Sequence, residues 1–396
     1  MSKVTTKKAK TVDAMATVYI MTNDLRLHDN KAFDYFMSLQ GNKSIAFVFD
    51  PAFQGSERHN ARANAVFRNA VKQLTSLLTD NGIVVATHKT YDFVKVHNVI
   101  ISEDTTPFAR QRLATITGLA VSVKTFDTKH FLRESSKEYK VFSAYYNDVL
   151  PQLMTKEYIE YMALVAADKV PKDMRAPTMF KMLKAPNQLI KQKIKLYDDA
   201  MKLLAGFDPD KYARTEKASL TVRSGATNVS WALARGIVSA REVYEHCRKE
   251  CAGHRSLLPS MISMARELIF RDFYSRVTLW YLPDYNTRFR NKKQKWTIID
   301  YHKYIAMIPH SPEPIKIIYK TLIDTGRISN YGRMLFATWT YDIGADWQLG
   351  ELLFAINLLD YDFCSNHWNW AHHSVQGLNY QWPGHKFKVE NVTLYM

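Results

Sequence analysis

Hydrophobic and polar positions change their period about a third of the way along the chain. At first, short apolar runs rich in β-branched residues alternate with stretches whose apolar residues recur at helical spacing. The runs are Ala16–Thr22, Ser44–Phe49, Ile83–Ala86, Val99–Ser102 and Ala120–Thr125; Ala61–Leu78 and Phe108–Thr117 are typical of the helical stretches. This alternation predicts a parallel sheet with helices on both faces. Gly82 and Gly118 precede two of the runs, where helix C-caps belong. From Phe131 to about Lys195 the periodicity breaks up among lysines and Pro151, Pro171, Pro177 and Pro186. That stretch reads as a long interdomain connection with short helices, and connections of such length usually have a function. From Tyr197 onward only helical spacing is found, at Val229–Ala234, Ala240–Cys247, Leu258–Tyr274, Ile315–Ile323 and Trp347–Leu359. The expected fold class is α/β + all-α. A basic disordered tail (1–14) leads into a doubly wound parallel-sheet domain (15–130), a connector (131–195) and an all-helical domain (196–396).

Composition agrees with two domains, since 396 residues is long for one. A net charge of +16 predicts long-range attraction to a polyanion, with nucleic acid or an anionic membrane surface as the candidates. No apolar run reaches the ~18 residues of a spanning helix, so no membrane role is expected. Lys3, Lys7, Lys8 and Lys10 are followed by no apolar stretch, unlike a secretory signal. Three cysteines in so long a chain point to a reducing, intracellular compartment, cytoplasm or nucleus. His246, Cys247, Cys251 and His254 cluster, but their spacing fits no standard zinc pattern, so they read as structural thiols and the metal expectation is none. Phosphate-loop, dinucleotide, zinc-protease and nucleophile-elbow motifs are all missing.

Two stretches carry candidate chemistry. Asp24-Leu-Arg-Leu-His-Asp-Asn30 follows the first strand, at the sheet edge where doubly wound folds bind ligands; Asp29 or Asn30 can also cap the next helix. Asp360-Tyr-Asp-Phe-Cys-Ser-Asn-His-Trp-Asn-Trp370 sets two carboxylates, an amide and two indoles at short spacing. Such a set suits a buried aromatic redox cofactor: a carboxylate to pair with a buried Arg, an Asn to donate to a ring nitrogen, Trp to stack or pass an electron. It is equally a helix end in an ordinary core.

Taken together, these stretches resemble the photolyase/cryptochrome flavoproteins. The Asp24–Asn30 run resembles the family's N-terminal signature, and Glu103–Arg110 a segment of its antenna domain. Tyr139-Lys-Val-Phe-Ser143 is similar to the Tyr-Lys-Val-Phe-Thr stretch that opens the connector. Thr227–Ser230, with Gly236, Ser239 and Arg241, resembles the flavin phosphate loop and its following helix. Glu267-Leu-Ile-Phe-Arg-Asp-Phe-Tyr274, Asn330-Tyr-Gly-Arg-Met334, Asp342–Trp347 and the Asp360 run follow in the family's order. Each motif is moderately specific; their joint order across nearly the whole chain is highly specific.

The resemblance implies FAD, bound in the helical domain of an expected monomer. Ser230 and Thr227 would meet its phosphates, with the following helix N-terminus adding its dipole. Arg271 would lie near the phosphates, and Tyr212 is a further candidate whose spacing is off by a residue or two. Arg333 and Asp360 match a buried ion pair beside the ring system, Asp362 a residue accepting from the ring edge, and Asn366 the amide facing flavin N5. The implied reaction is light-driven repair of cyclobutane pyrimidine dimers in DNA. Glu267, Asn330 and Met334 would line the dimer pocket, and Met334 favours cyclobutane over (6-4) lesions, whose branch usually has His there. Trp370 and Trp347 match the first two members of an electron relay. Glu103 resembles a contact to a second, folate- or flavin-type antenna chromophore, and is equally a solvated carboxylate at a strand end.

Some positions depart from the family pattern. Phe270 replaces the Trp on which the lesion packs, and a gapless alignment puts His372 at a second lesion-contacting aromatic; a gap would bring Trp368 and Trp370 into play instead. At the third relay position stand Tyr301, Tyr304 and Ile305, leaving a Tyr or a route through Trp339. Tyr380–Tyr395 is unlike the family. Two rivals follow: a cryptochrome-like photoreceptor, mildly favoured by Phe270 and His372, and a basic DNA-binding protein without cofactor, disfavoured by the Arg333–Asp360–Asn366 set.

Overall fold

A computed structural model describes residues 16–51, 59–133, 137–171, 174–184, 189–214, 219–221, 225–284, 295–374 and 376–378. The basic tail and Tyr380–Tyr395 lie outside the described residues.

Strands β1 (Thr17–Ile20), β2 (Lys43–Val48), β3 (Val84–His88), β4 (Asn98–Ser102) and β5 (Ser122–Phe126) form one sheet in the order β3-β2-β1-β4-β5, every pair parallel. Tyr19 pairs in register with Ile45 and Ile100, and these side chains join the large core shared with the helical domain. Their neighbours Val18, Ile20, Ala46, Val99 and Ile101 face the other way, into a smaller core with Tyr91, Val94 and Ile116. Because the central strands β1, β2 and β4 are largely buried on both faces, they read as continuous apolar runs rather than alternating ones.

Helices α1 (Lys31–Ser38), α2 (Ala61–Asp80) and α3 (Pro107–Leu119) complete this domain. Asn30 caps α1, its side chain accepting from the amides of Ala32 and Phe33. Gly82 follows α2 at φ +75, and the amides of Gly82 and Ile83 donate back to Thr79 and Leu78, as a C-terminal stop requires. Gly118 is different: it lies inside α3, which runs on to Leu119.

The connecting stretch carries α4 (Phe142–Val149) and α5 (Lys156–Ala166). The helical domain comprises α6 (Lys195–Ala205), α7 (Pro209–Arg214), α8 (Ser230–Ala234), α9 (Ala240–Glu250), α10 (Leu258–Tyr281), α11 (Tyr301–Met307), α12 (Glu313–Thr325), α13 (Asn330–Asp342), α14 (Trp347–Asn357) and α15 (Phe363–His373). The fold class is the expected one. Helix α10 buries more than half of its residues, the polar Ser260, Asp272, Ser275, Arg276 and Thr278 among them, because it packs against α4, α9 and α15. Among the described residues no helix is long and apolar enough to cross a membrane.

The strand order reverses between β1 and β4, where doubly wound sheets open a ligand crevice. Here that point is closed by a buried polar knot: Tyr19 Oη and Ser102 Oγ both donate to Asp24 Oδ2. The Asp24–Asn30 loop then docks on the helical domain. Leu25 donates its amide to the Arg235 carbonyl at 3.2 Å, Leu27 donates to Gln192 Oε1 at 2.7 Å, and Gln192 donates onward to the Ile237 carbonyl at 3.0 Å. Gly236 has φ +65, and a Cβ there would sit 2.2 Å from the Asn23 carbonyl oxygen. Only glycine lets the two domains approach so closely. Asn60, which caps α2, donates to the carbonyls of Ala355 and Leu358, tying the sheet domain to the end of α14.

Candidate active site

Most of the sequence-marked residues lie on α10, α13, α14 and α15 or at their ends; Glu103, Tyr212, Thr227 and Ser230 lie elsewhere. Arg333 on α13 reaches Asp360, just before α15: its Nη2 lies 2.9 Å from both carboxylate oxygens. The contact uses one nitrogen rather than the two-pronged fork, and the pair is partly exposed, Arg333 at 30% and Asp360 at 15%.

Asn366 is buried on α15. Its Nδ2 donates to the Glu351 carbonyl at 3.0 Å and to Glu351 Oε1 at 3.2 Å. Both facing atoms are acceptors, so they dictate which end of the amide turns to them. Nδ2 is thus turned to α14, which leaves the carbonyl Oδ1 as the other end of Asn366. Glu351, fully buried, was missed. Its one signal is a lone carboxylate in an otherwise apolar helix.

Asp362 caps α15. Oδ1 accepts from the Ser365 amide and hydroxyl, each at 3.0 Å, and Oδ2 sits 2.8 Å from Lys129 Nζ. Oδ1 is engaged because an Asp just before a helix satisfies its first free amides, and Oδ2 is engaged by the Lys129 ammonium. Arg271 donates from Nη1 to the Lys129 carbonyl at 2.7 Å and from Nη2 to the Leu233 carbonyl at 3.4 Å, so it binds the seam beside the loop before α8. Arg235 donates to the Tyr361 carbonyl at 2.7 Å and to Asn23 Oδ1 at 3.1 Å. Sequence reading missed Lys129 and Arg235, which no motif marks.

The loop Thr227–Ser230 leads into α8, a helix of five residues, so the dipole expected behind it is short. Ser230 is exposed and Thr227 half-buried. Gly225, at φ +72, lies against α7: a Cβ there would come within 3.1 Å of the Tyr212 amide nitrogen. This contact brings buried Tyr212 to the loop despite its irregular spacing.

Asn330 and Met334, one turn apart on α13, touch through Asn330 Nδ2 and Met334 Sδ at 3.9 Å. Glu267 is exposed on α10. Burial and the Glu267 charge raise the Tyr274 hydroxyl above its ordinary value, and that hydroxyl donates to Asn369 Oδ1 at 3.0 Å. One face of Phe270 is covered. Phe142 stacks on it at 3.3 Å between ring centres and 7° between planes, Tyr274 lies 5.6 Å away, and the Arg266 guanidinium lies 5.6 Å from both Phe rings. His372 is exposed at the end of α15, beside Gly377.

Trp370 packs on Gly350, where a Cβ would fall 2.2 Å from its ring, and meets Phe354 edge-on at 5.0 Å. Fully buried Trp347 has the His367 ring at 5.1 Å. From Phe354 aromatic contacts continue through Phe336 (5.6 Å) to Trp339 (5.4 Å) and Tyr304 (5.9 Å). Tyr304 is buried, with its hydroxyl 2.7 Å from Thr340 Oγ1. Glu103 is exposed at the end of β4 and accepts from Thr125 Oγ1 at 2.9 Å. Cys247, Cys251 and Cys364 are buried free thiols.

A parallel-sheet domain docked on a helical domain that carries these residues defines a class, and comparison with known proteins identifies it. Residues 17–166 match the DNA photolyase family and residues 315–392 match the FAD-binding domain of DNA photolyase. The chain belongs to the photolyase/cryptochrome family, and its cofactor is FAD. A cryptochrome DASH of Danio rerio is 26% identical, over 90% of this chain and 76% of the relative. A deoxyribodipyrimidine photo-lyase of Salmonella typhimurium is 25% identical, over 88% of this chain and 80% of the relative. The fold matches an archaeal photolyase from Sulfolobus tokodaii with two FAD molecules at a TM-score of 0.68 and 20% identity, covering 92% of this chain and 84% of that one.

Proposed function

We propose that the protein repairs cyclobutane pyrimidine dimers in DNA, as a deoxyribodipyrimidine photo-lyase. When bound and reduced, FAD would supply the excited-state electron for ring splitting, and the return of that electron would leave no net redox change. The residues at hand fit that cofactor. Arg333 sets a guanidinium next to the Asp360 carboxylate, and Asn366 keeps its Oδ1 as an acceptor. Thr227 and Ser230 offer hydroxyls on a loop held by Gly225 to Tyr212, with Arg271 beside it. Asp362 acts from the rim, as the cap of α15.

The observation that carries the repair reading is the arrangement on α13. Asn330 and Met334 stand one turn apart in contact, while Arg333 between them turns to Asp360. One short helix thus serves both partners: an amide and a thioether for pyrimidine edges and faces, and a cation for the flavin side. Glu267 adds a carboxylate acceptor or donor for the same edges. The net charge of +16 suits backbone-dominated DNA binding. A dimer must leave the base stack to reach a buried cofactor, at a cost of a few kcal/mol that is least for an already distorted lesion.

The rival is a cryptochrome-type photoreceptor, favoured by one observation: Phe142 stacks on Phe270, so one face of that ring is already taken. The test uses FAD-loaded, reduced protein and a single-stranded oligonucleotide with one cyclobutane thymine dimer, in blue light and in darkness. Thymines restored only in light support repair. No repair with FAD bound and reduced sinks it and leaves the receptor reading.

A further inference from the structure

One ion pair near the Arg333–Asp360 contact crosses the domain seam. Lys129 lies on the turn leaving β5, and its Nζ sits 2.8 Å from Asp362 Oδ2, the two side chains only 14% and 15% exposed. The backbone of that turn is held independently, since Arg271 donates to the Lys129 carbonyl at 2.7 Å and Arg26 donates to the Thr128 carbonyl at 2.6 Å. On the far side, Asp362 Oδ1 caps the Ser365 amide, and the Asp362 carbonyl accepts the Asn366 amide at 2.9 Å. A continuous mechanical path therefore runs from the sheet domain through Lys129 and Asp362 into the first turn of α15, which bears Asn366.

We infer that Lys129 is a positioning residue for α15: by engaging Asp362 from the other domain it sets the first turn of that helix, so the cofactor pocket is complete only when the domains are docked. The inference rests on reading Asn366 as a flavin contact. A single-domain pocket needs no such link; here the cap carboxylate is shared between a helix start and a lysine 233 positions earlier in the chain.

The electrostatics agree with the geometry. Burial alone would raise the Asp362 carboxyl; the Lys129 ammonium, with Arg271 and the Ser365 amide, holds it below the ordinary carboxylate range. Burial would likewise lower Lys129, and Asp362, Cys364 and Asp104 hold it above its ordinary value. The other charges facing this spot are Arg235, from the turn after α8, and Asp360. A depressed carboxyl contributes stability above its unfolded value of roughly 3.9 and loses it as pH falls. A raised lysine contributes below roughly 10.5 and loses it only at higher pH. The link is thus intact throughout the neutral range, and removing the lysine lets the carboxyl climb toward it.

The test compares full-length wild type, Lys129→Met and Lys129→Arg. FAD affinity is titrated by flavin fluorescence at about pH 8 and about pH 5.5, and amide exchange at Ser365 and Asn366 is measured without flavin. Lys129→Met should weaken FAD binding roughly tenfold or more, further at the lower pH, and speed exchange in that turn; Lys129→Arg should restore both. Wild-type exchange and affinity in Lys129→Met overturn the inference. If wild type itself binds no FAD, the flavin reading fails while the exchange comparison still decides the role of Lys129. If Lys129→Met does not fold, Asp362→Asn, which keeps the cap and removes the ion pair, decides by amide exchange alone: wild-type exchange at Ser365 and Asn366 overturns the inference.

Discussion

Gly350 is a glycine inside α14 without a positive φ, so no backbone conformation explains it. Helix propensity alone makes Gly350→Ala stabilising by about 1 kcal/mol. The structure predicts the opposite sign. A Cβ at 350 would lie 2.2, 2.5 and 2.9 Å from three carbons of the Trp370 ring. Carbon atoms rest at roughly 3.5–4.0 Å, so the indole must retreat by more than about 1 Å. It is 2% exposed and pressed against Phe354, so it has little room to do so. Overpacking of this kind costs about 1–3 kcal/mol, which leaves a net loss of up to about 2 kcal/mol after the propensity gain. Flavin release on heating and tryptophan fluorescence would report it. The companion is Trp370→Phe, which removes the clashing ring edge: in a double-mutant cycle the pair should couple by at least about 1 kcal/mol. A Gly350→Ala protein that is more stable than wild type, with no coupling to Trp370→Phe, would refute the packing argument.

Three further outcomes are expected. Glu351→Leu leaves the buried Nδ2 of Asn366 without its side-chain acceptor and should cost about 1–3 kcal/mol, while Glu351→Gln should cost less; equal Tm values for the two would remove the role assigned to Glu351. Burial pushes the Glu242 carboxyl up, but His28, the Ser239 amide and the Tyr197 hydroxyl hold it below its usual value, so its contribution is present above about pH 4.5 and fades as pH falls. Glu242→Gln should therefore lower stability at neutral pH and flatten the acid limb of a pH–stability curve; an unchanged limb means that another carboxylate governs it. DNA affinity should fall steeply with salt, as a net charge of +16 implies, and a flat binding isotherm series would discard phosphate contacts as its basis.

What could be read from the chain alone was local. The central strands were legible because strands buried on both faces need unbroken apolar runs, and the turns into and out of the sheet carry their own chemistry, as Asn30 and Gly82 show. The Arg333–Asp360 contact was legible only through family resemblance, since no spacing links a residue of α13 to one in the turn before α15. Other features existed nowhere in local pattern. Phe142 on Phe270, Lys129 against Asp362 and Asn366 turned to Glu351 join residues far apart or on different helices, so docking of domains and helices decides them. The physical reason is one of range. Propensity, caps and turns act within a few residues, whereas a buried charge or amide takes whatever partner the packed helices bring within hydrogen-bond reach. The sequence therefore determined the sheet, the helices and the family, and tertiary structure alone decided which atoms each site residue turns toward a ligand.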